Sequence, residues 1–492
     1  MTVEIACASM VPENNMRENK TVVVLGAGLA GLSAAWALRK NGYRVVLLEK
    51  ADHNGGLAVT KTSGDYRYDL GPHNIHTIHG HILTFLERHF PKHLFSHNPT
   101  SKIMKNNKLI DYPLKGIRVI TSLPIWKLPI AGTSFFVARV QMFIRNPRVD
   151  HSFQDWITNR FGRILYSEYF GNYAGKVWSI HPSQIDKYVA EKRIPVVGLT
   201  SLIRAAFFRE SPKIDHPEFL EKNYYLRDGI GQTVEFFEDE LCALDTEIKN
   251  EVTVNTIHCE NDRASAVTYT DKSGEQHKIS CDFLLSTVPV TDFICLLDNS
   301  PRATREAAKG LDYCSTVLVF MKTRALKLFP STMLYFSDPR VSISRVYDVG
   351  SYSSAMVPEG HSLFCAELPC NQGDQTWKVS DAELGEQVAR IFVDQGMLQA
   401  EDVQGTFVER ISHSYPRFRL GFKKRLQECF HHIESIKNCI SYGRQGSFAY
   451  LNTDGVIHLG MNAADAVMLA ESMDYTCPEW FNARTRATGA SL

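Results

Sequence analysis

The chain has 492 residues, 44% hydrophobic and 22% charged, with Lys plus Arg equal to Asp plus Glu at 54 each. That length suits two or three domains with sizeable cores, and the composition is that of an ordinary globular protein. The charge balance argues against a broad nucleic-acid-binding surface, though not against local basic pockets, and no nucleic-acid partner is expected.

Residues 1–19 read as a polar tail, without the basic start and apolar run of a secretory leader. Eleven cysteines are scattered from Cys7 to Cys477, with no C-x-x-C pair and no Cys/His metal spacing. Reduced, mostly buried thiols in a cytoplasmic protein without a metal are the expectation.

Residues 22–25 are a short continuous apolar run, the pattern of a strand buried on both faces. Gly26, Gly28 and Gly31 follow at G-x-G-x-x-G spacing. A helix is predicted over 32–38 and a second strand over 43–48, closing on Glu49. In such a unit Gly26 allows the tight turn, Gly28 lets a pyrophosphate approach the backbone, and Gly31 lets helix and strand pack closely. The helix N-terminus offers N–H donors and a positive dipole end to that pyrophosphate. Glu49 is placed to accept hydrogen bonds from a ribose. Strand, turn, helix, strand and acid in that order supply the context a bare glycine pattern lacks. The alternative is a glycine-rich turn of some other α/β domain.

Gly55 and Gly56, followed by Leu57, suit a loop passing close to a ligand. Gly71-Pro72 is a rigid turn that fixes His73; this histidine either faces a cofactor ring or satisfies backbone carbonyls. The most apolar long stretch, 117–144, is interrupted by Pro124, Lys127, Pro129 and Arg139. It reads as a buried helical segment rather than a membrane span, with a membrane-surface patch as the second option. Residues 152–193 follow a helical pattern with Phe153, Trp156, Ile157 and Phe161 near one face. Residues 224–240 read as strand, glycine turn and helix; 252–257, 266–270 and 283–288 read as strands that rejoin the first unit. From 314 to 408 strand-like runs dominate, with a helix over 382–393. Near the end, 441–452 lead into an expected strand at 456–459, then Gly460 and a helix from about Ala463, a second potential source of N–H donors.

Taken together, these blocks resemble the FAD flavoproteins of the fold shared by amine oxidases, protoporphyrinogen oxidases and UDP-galactopyranose mutases. Gly-Gly-Leu-Ala, Gly-Pro-His, Lys-Val-Trp and Gly-Arg-x-Gly-x-x-x-Tyr are nearest to the mutase branch, and the likeness runs from Thr21 to Met473. It implies an α/β fold: a discontinuous Rossmann-type FAD-binding domain (20–100, 225–300 and 420–475), a mainly helical insert (101–224), and a substrate-side β-sheet domain (301–419). It further implies that Gly26, Gly28, Gly31 and Glu49 hold the adenosine diphosphate half of FAD. Gly55, Gly56 and Leu57 would line the flavin chain and Val254 would meet the adenine. Gly71 and His73 would lie near the flavin ring, and Gly460 would close the site.

The mutase substrate constellation corresponds here to Trp178, Arg193, Tyr335, Arg345, Tyr352, Tyr415, Arg444, Tyr450 and Asn452. Arginine forks and phenol donors are the groups a diphosphate requires. Two departures stand out. Tyr112-Pro113-Leu114-Lys115 replaces the Phe-Gln that holds uracil, and Ala174-Gly175 replaces the Asn before the lysine block. The phosphate contacts are kept while the base-reading contacts are altered, so the leaving group is open: UDP, another nucleoside diphosphate or a lipid diphosphate.

The resemblance implies that flavin reduced by NADPH or NADH attacks the anomeric carbon and expels the diphosphate. The sugar ring then opens and recloses on another hydroxyl, with His73 tuning the flavin and Arg345 stabilising the departing diphosphate. The rival on this fold is an oxidoreductase that removes hydride from a small organic substrate. A third reading is a non-catalytic nucleotide-binding module.

Overall fold

The computed structural model describes residues 19–76, 79–105, 108–112, 123–144, 150–194, 223–324 and 327–472. The polar tail at 1–18 and Pro113, Leu114 and Lys115 lie outside the described residues.

The strand Thr21–Leu25 is the middle of a five-stranded parallel sheet. Arg44–Leu48 flanks it on one side and Phe283–Ser286 on the other; Glu247–Lys249 and Cys439–Ser441 form the edges. Val22 and Val24 point into a core shared with the helices Leu29–Lys40 and Thr453–Ser472. Val23 and Leu25 point the other way, into a core that includes the helix Phe422–Ser435 and the three-stranded meander Thr253–Glu260, Arg263–Thr270 and Gln276–Ser280. An unbroken apolar run, rather than an alternating one, is what a strand covered on both faces needs.

A second sheet has seven strands. Its order is Val403–Arg417, Asp312–Thr323, Ser362–Cys370, Arg345–Asp348, Met333–Phe336, Ser101–Lys105 and Lys108–Tyr112. Neighbours are antiparallel except Met333–Phe336 with Ser101–Lys105, which run parallel. The helix Asp381–Asp394 covers one face through Leu384, Val388 and Phe392, packed with Val317, Leu334, Val346 and Phe364. The other face carries Phe320, Tyr335, Tyr347 and Cys365 and meets Leu57, Tyr66, Tyr68 and Tyr225 of the first unit. The period-2 alternation of each strand thus divides a helix-backed side from a side turned toward the dinucleotide fold.

Three sequence expectations change. Residues 101–105 and 108–112, assigned to a helical insert, are strands that extend the second sheet through backbone pairing with residues 333–336. Residues 456–459 are not a strand: the helix Thr453–Ser472 is continuous through them. The helix Leu128–Ile144 is apolar but not buried. Phe136 is 67% exposed, and Ile125 and Trp126 just before the helix are 85% and 65% exposed.

Candidate functional site

The glycine turn has the geometry its spacing predicts. Gly26 adopts φ +93°, which favours glycine, and a Cβ on Gly31 would lie 2.0 Å from the Gly26 carbonyl oxygen. Gly28 stands at the helix N-terminus with nothing within 4 Å of where a Cβ would project. No side chain caps that N-terminus and no acid sits in its first turn, so its first N–H groups are left for a ligand. The Gly55 N–H donates to the Ala27 carbonyl at 2.8 Å, which holds the Gly55–Gly56–Leu57 loop beside the turn. Glu49 accepts from the Ala27 N–H at 2.7 Å and the Ala51 N–H at 2.8 Å, and its backbone carbonyl accepts from the Val252 N–H. Two residues on, Val254 pairs with Tyr269 just before an irregularity in the ladder. Open space at Gly28, an uncapped helix end and a fixed carboxylate fit the diphosphate and ribose of a dinucleotide.

A second set of residues surrounds Asp69. Its carboxylate accepts from the hydroxyls of Thr60 and Tyr225, both at 2.6 Å. His73 Nδ1 lies 3.7 Å from the same carboxylate, beyond hydrogen-bond range, and is buried without a hydrogen-bond partner. Gly71 two residues earlier, at φ +123°, has nothing within 4 Å of a Cβ position. An unpartnered buried imidazole nitrogen next to open backbone suits a ring edge with its own donors and acceptors. Tyr225 also packs on Tyr352, with ring centroids 5.4 Å apart, which links this region to the second sheet.

On that sheet Tyr335, Arg345 and Glu367 are direct cross-strand neighbours. Arg345 Nε lies 2.7 Å from the Glu367 carboxylate, and a terminal N–H of Arg345 donates to the Tyr415 hydroxyl at 3.2 Å. Tyr415 stacks on Tyr450 at 5.3 Å with planes 10° apart. The Arg193 guanidinium lies 3.8 Å from the Tyr450 ring centre, and that of Arg444 lies 4.8 and 5.0 Å from the rings of Tyr415 and Tyr450. Burial pushes the Tyr415 phenol up to about 12 and Tyr352 higher still, although Arg345 pulls both down, so both remain protonated donors. Burial is the largest single influence on Arg345 and opposes its charge, but Glu367, Tyr415 and Tyr335 together outweigh it and hold the guanidinium protonated.

Among the expected substrate residues, Arg193, Tyr335, Arg345, Tyr415, Arg444 and Tyr450 thus form one connected cluster, with Tyr352 beside it. Trp178 does not join: it is buried against Phe418 in the core, because its helix turns that face inward. Gly460 is not at a helix start. It lies inside Thr453–Ser472, where a Cβ would meet Ser33 Oγ at 2.0 Å and the Ala30 carbonyl at 2.6 Å, so its place is a helix crossing. Asn452 precedes that helix and accepts from the Val456 N–H through its backbone. Arg444 directs its terminal nitrogens to the carbonyls of Leu451 and Ser414, which fixes the loop bearing Tyr450.

The sequence reading passed over three participants. Glu367 is the lone acid in an apolar strand, an isolated charge that was the available signal. Tyr173, three residues before the lysine block, meets Tyr335 edge-on at 5.7 Å. Lys176 donates to the carbonyls of Phe336, Asp338 and Ile343, pinning the loop between the strands of Tyr335 and Arg345; burial lowers its pKa to about 8.

Residues 24–89 match the NAD(P)-binding Rossmann-like domain family. A 1-hydroxycarotenoid 3,4-desaturase of Flavobacterium sp. (strain P99-3) is 42% identical over 72 residues, 15% of this chain and 14% of that protein. A probable UDP-galactopyranose mutase of Klebsiella pneumoniae is 23% identical over 183 residues, 36% of this chain and 46% of that protein. The chain therefore aligns with less than half the length of either curated relative. A crystal structure of reduced UDP-galactopyranose mutase superposes with a TM-score of 0.78 at 21% identity, covering 95% of this chain and 99% of that one.

Proposed function

We propose, from a fold that is that of the FAD-dependent amine oxidase and UDP-galactopyranose mutase superfamily, that the chain is a flavoenzyme acting on a sugar diphosphate. The reaction proposed is a redox-neutral pyranose/furanose isomerisation of the mutase kind. The observation that carries it is the junction of Arg193, Arg345 and Arg444 with the phenols of Tyr335, Tyr415 and Tyr450 on the sheet face turned toward the dinucleotide fold. A diphosphate matches the arginines in charge and the phenols in donors.

Gly26, Gly28, Gly31 and Glu49 would hold the adenosine diphosphate half of FAD, Val254 the adenine, Gly55, Gly56 and Leu57 the flavin chain, and Gly71 and His73 the ring. Reduced by NADPH or NADH, FAD supplies the electron-rich centre that the protein side chains lack. Arg345 balances charge that gathers on the leaving diphosphate. Because the Tyr415 oxygen accepts from Arg345, its own O–H is turned to donate onward to a ligand oxygen. Tyr335 and Tyr173 form an aromatic wall beside it.

The test compares wild type with Arg345→Ala and with Arg345→Lys, which keeps a cation beside Glu367. FAD content should be unchanged in both, while turnover with the accepted nucleotide sugar falls about a hundredfold or more in the alanine variant. Unchanged kinetics would reject the assignment. The substrate itself is found by thermal shift of the reduced holoprotein across nucleotide sugars and lipid diphosphate sugars. A second reading, an oxidoreductase that removes hydride from a small organic substrate, is favoured by the likeness to a desaturase. Steady consumption of an electron acceptor with substrate would decide for it.

A further inference from the structure

Helices that are apolar on all sides belong in a core or in lipid. The helix Leu128–Ile144 is such a helix, yet among the described residues only one side of it is covered. Its inner side is seated on the helix Phe153–Leu165, where a Cβ on Gly162 would lie 2.6 Å from the Ser134 hydroxyl. Its outer side and the turn before it present Ile125, Trp126, Ile130, Phe136 and Val137 to solvent. From 113 to 149 the sequence holds six Lys and Arg and no Asp or Glu. Glu168, the acid beside this region, is already held between Lys105 and Lys127 at 2.9 and 2.5 Å.

We propose that this face docks on an anionic lipid surface, with Trp126, Ile125 and Phe136 inserted at the headgroup level. Seventeen residues of helix span roughly 25 Å, short of a hydrocarbon core, so the helix lies along the surface and does not cross it. Among the described residues no helix is long and apolar enough to span a bilayer. Charge selects the occupant. The segment that carries this face is cationic in sequence, six Lys and Arg with no acid from 113 to 149, and a segment of that composition is complemented by anionic headgroups rather than by a second copy of itself.

The experiment is vesicle co-sedimentation of the full-length flavin-loaded protein, with phosphatidylcholine alone and with phosphatidylglycerol added. Binding should appear with the anionic vesicles, weaken with added salt, and fall on the order of tenfold or more in an Ile125→Glu/Trp126→Glu/Phe136→Glu variant. The thermal midpoint of that variant should match wild type, since all three side chains are exposed. Absence of wild-type binding, or binding undiminished in the variant, overturns the proposal. So does a concentration-dependent dimer that the same substitutions abolish, because the face would then be a contact between copies.

Discussion

Arg345 and Glu367 hold each other 2.7 Å apart with side chains only 18% and 6% exposed, and the second Glu367 oxygen is buried without a partner. A pair in that setting is costly to break from one side, because the remaining charge is left uncompensated. Arg345→Ala should therefore lower unfolding stability by about 3–5 kcal/mol, measured by urea denaturation. Replacing both partners, as Arg345→Met with Glu367→Leu, should recover most of that loss while leaving activity absent. A double variant as unstable as the single one would mean that the pair is not what the arginine stabilises. The glycine turn gives a second contrast. Gly31→Ala forces a methyl against the Gly26 carbonyl, so it should destabilise the fold and lose FAD together. Gly28→Ala meets no protein atom and sits at φ −67°, so the chain should fold normally while FAD retention, read from the flavin absorbance, drops sharply.

At the scale of elements, the helix Thr453–Ser472 lies across Leu29–Lys40, and Gly460 is where the two backbones come near enough to exclude a side chain. Gly460→Ala should cost about 1–3 kcal/mol by overpacking. Ser33→Ala should relieve only part of that, because the Ala30 carbonyl remains 2.6 Å from the new methyl. Full rescue by Ser33→Ala would show that the backbone approach is looser than this. The same helix shows where sequence reading stops. Val-Ile-His-Leu before Gly460 is a short apolar run, and periodicity cannot separate a buried strand from a buried helix over four residues. By contrast the first strand, turn and helix were legible, because each residue there answers a local demand: no Cβ at Gly31, a positive φ at Gly26, apolar side chains on both strand faces. The cluster around Arg345 was legible only by likeness to known motifs, since its six members come from five separate stretches that tertiary folding brings together. Trp178 shows the limit of that route: it carries the motif, yet its side chain faces the core.

At the scale of the whole molecule, two histidines sit where remote parts of the chain meet. His97, at the end of the strand Leu94–His97, packs at 4.9 Å on Tyr352 in the turn after the strand Arg345–Asp348, and burial pushes its pKa down to about 4. His458, in the C-terminal helix, stacks on His79 at 4.0 Å and lies 2.9 Å from His81 at the next helix start. Burial first, then the two neighbouring imidazoles, push it down to about 4 as well. In the unfolded chain both groups titrate near the ordinary histidine value of about 6.5. Between that value and about 4 the unfolded chain therefore holds more protons than the folded one, and stability must fall as pH falls through this window. The urea midpoint should decline steadily from pH 6.5 toward 4. His97→Gln and His458→Gln should each flatten the decline, and the double variant should flatten it most, because each removes one proton's worth of linkage. An equally steep decline in the double variant would place the acid sensitivity in other groups.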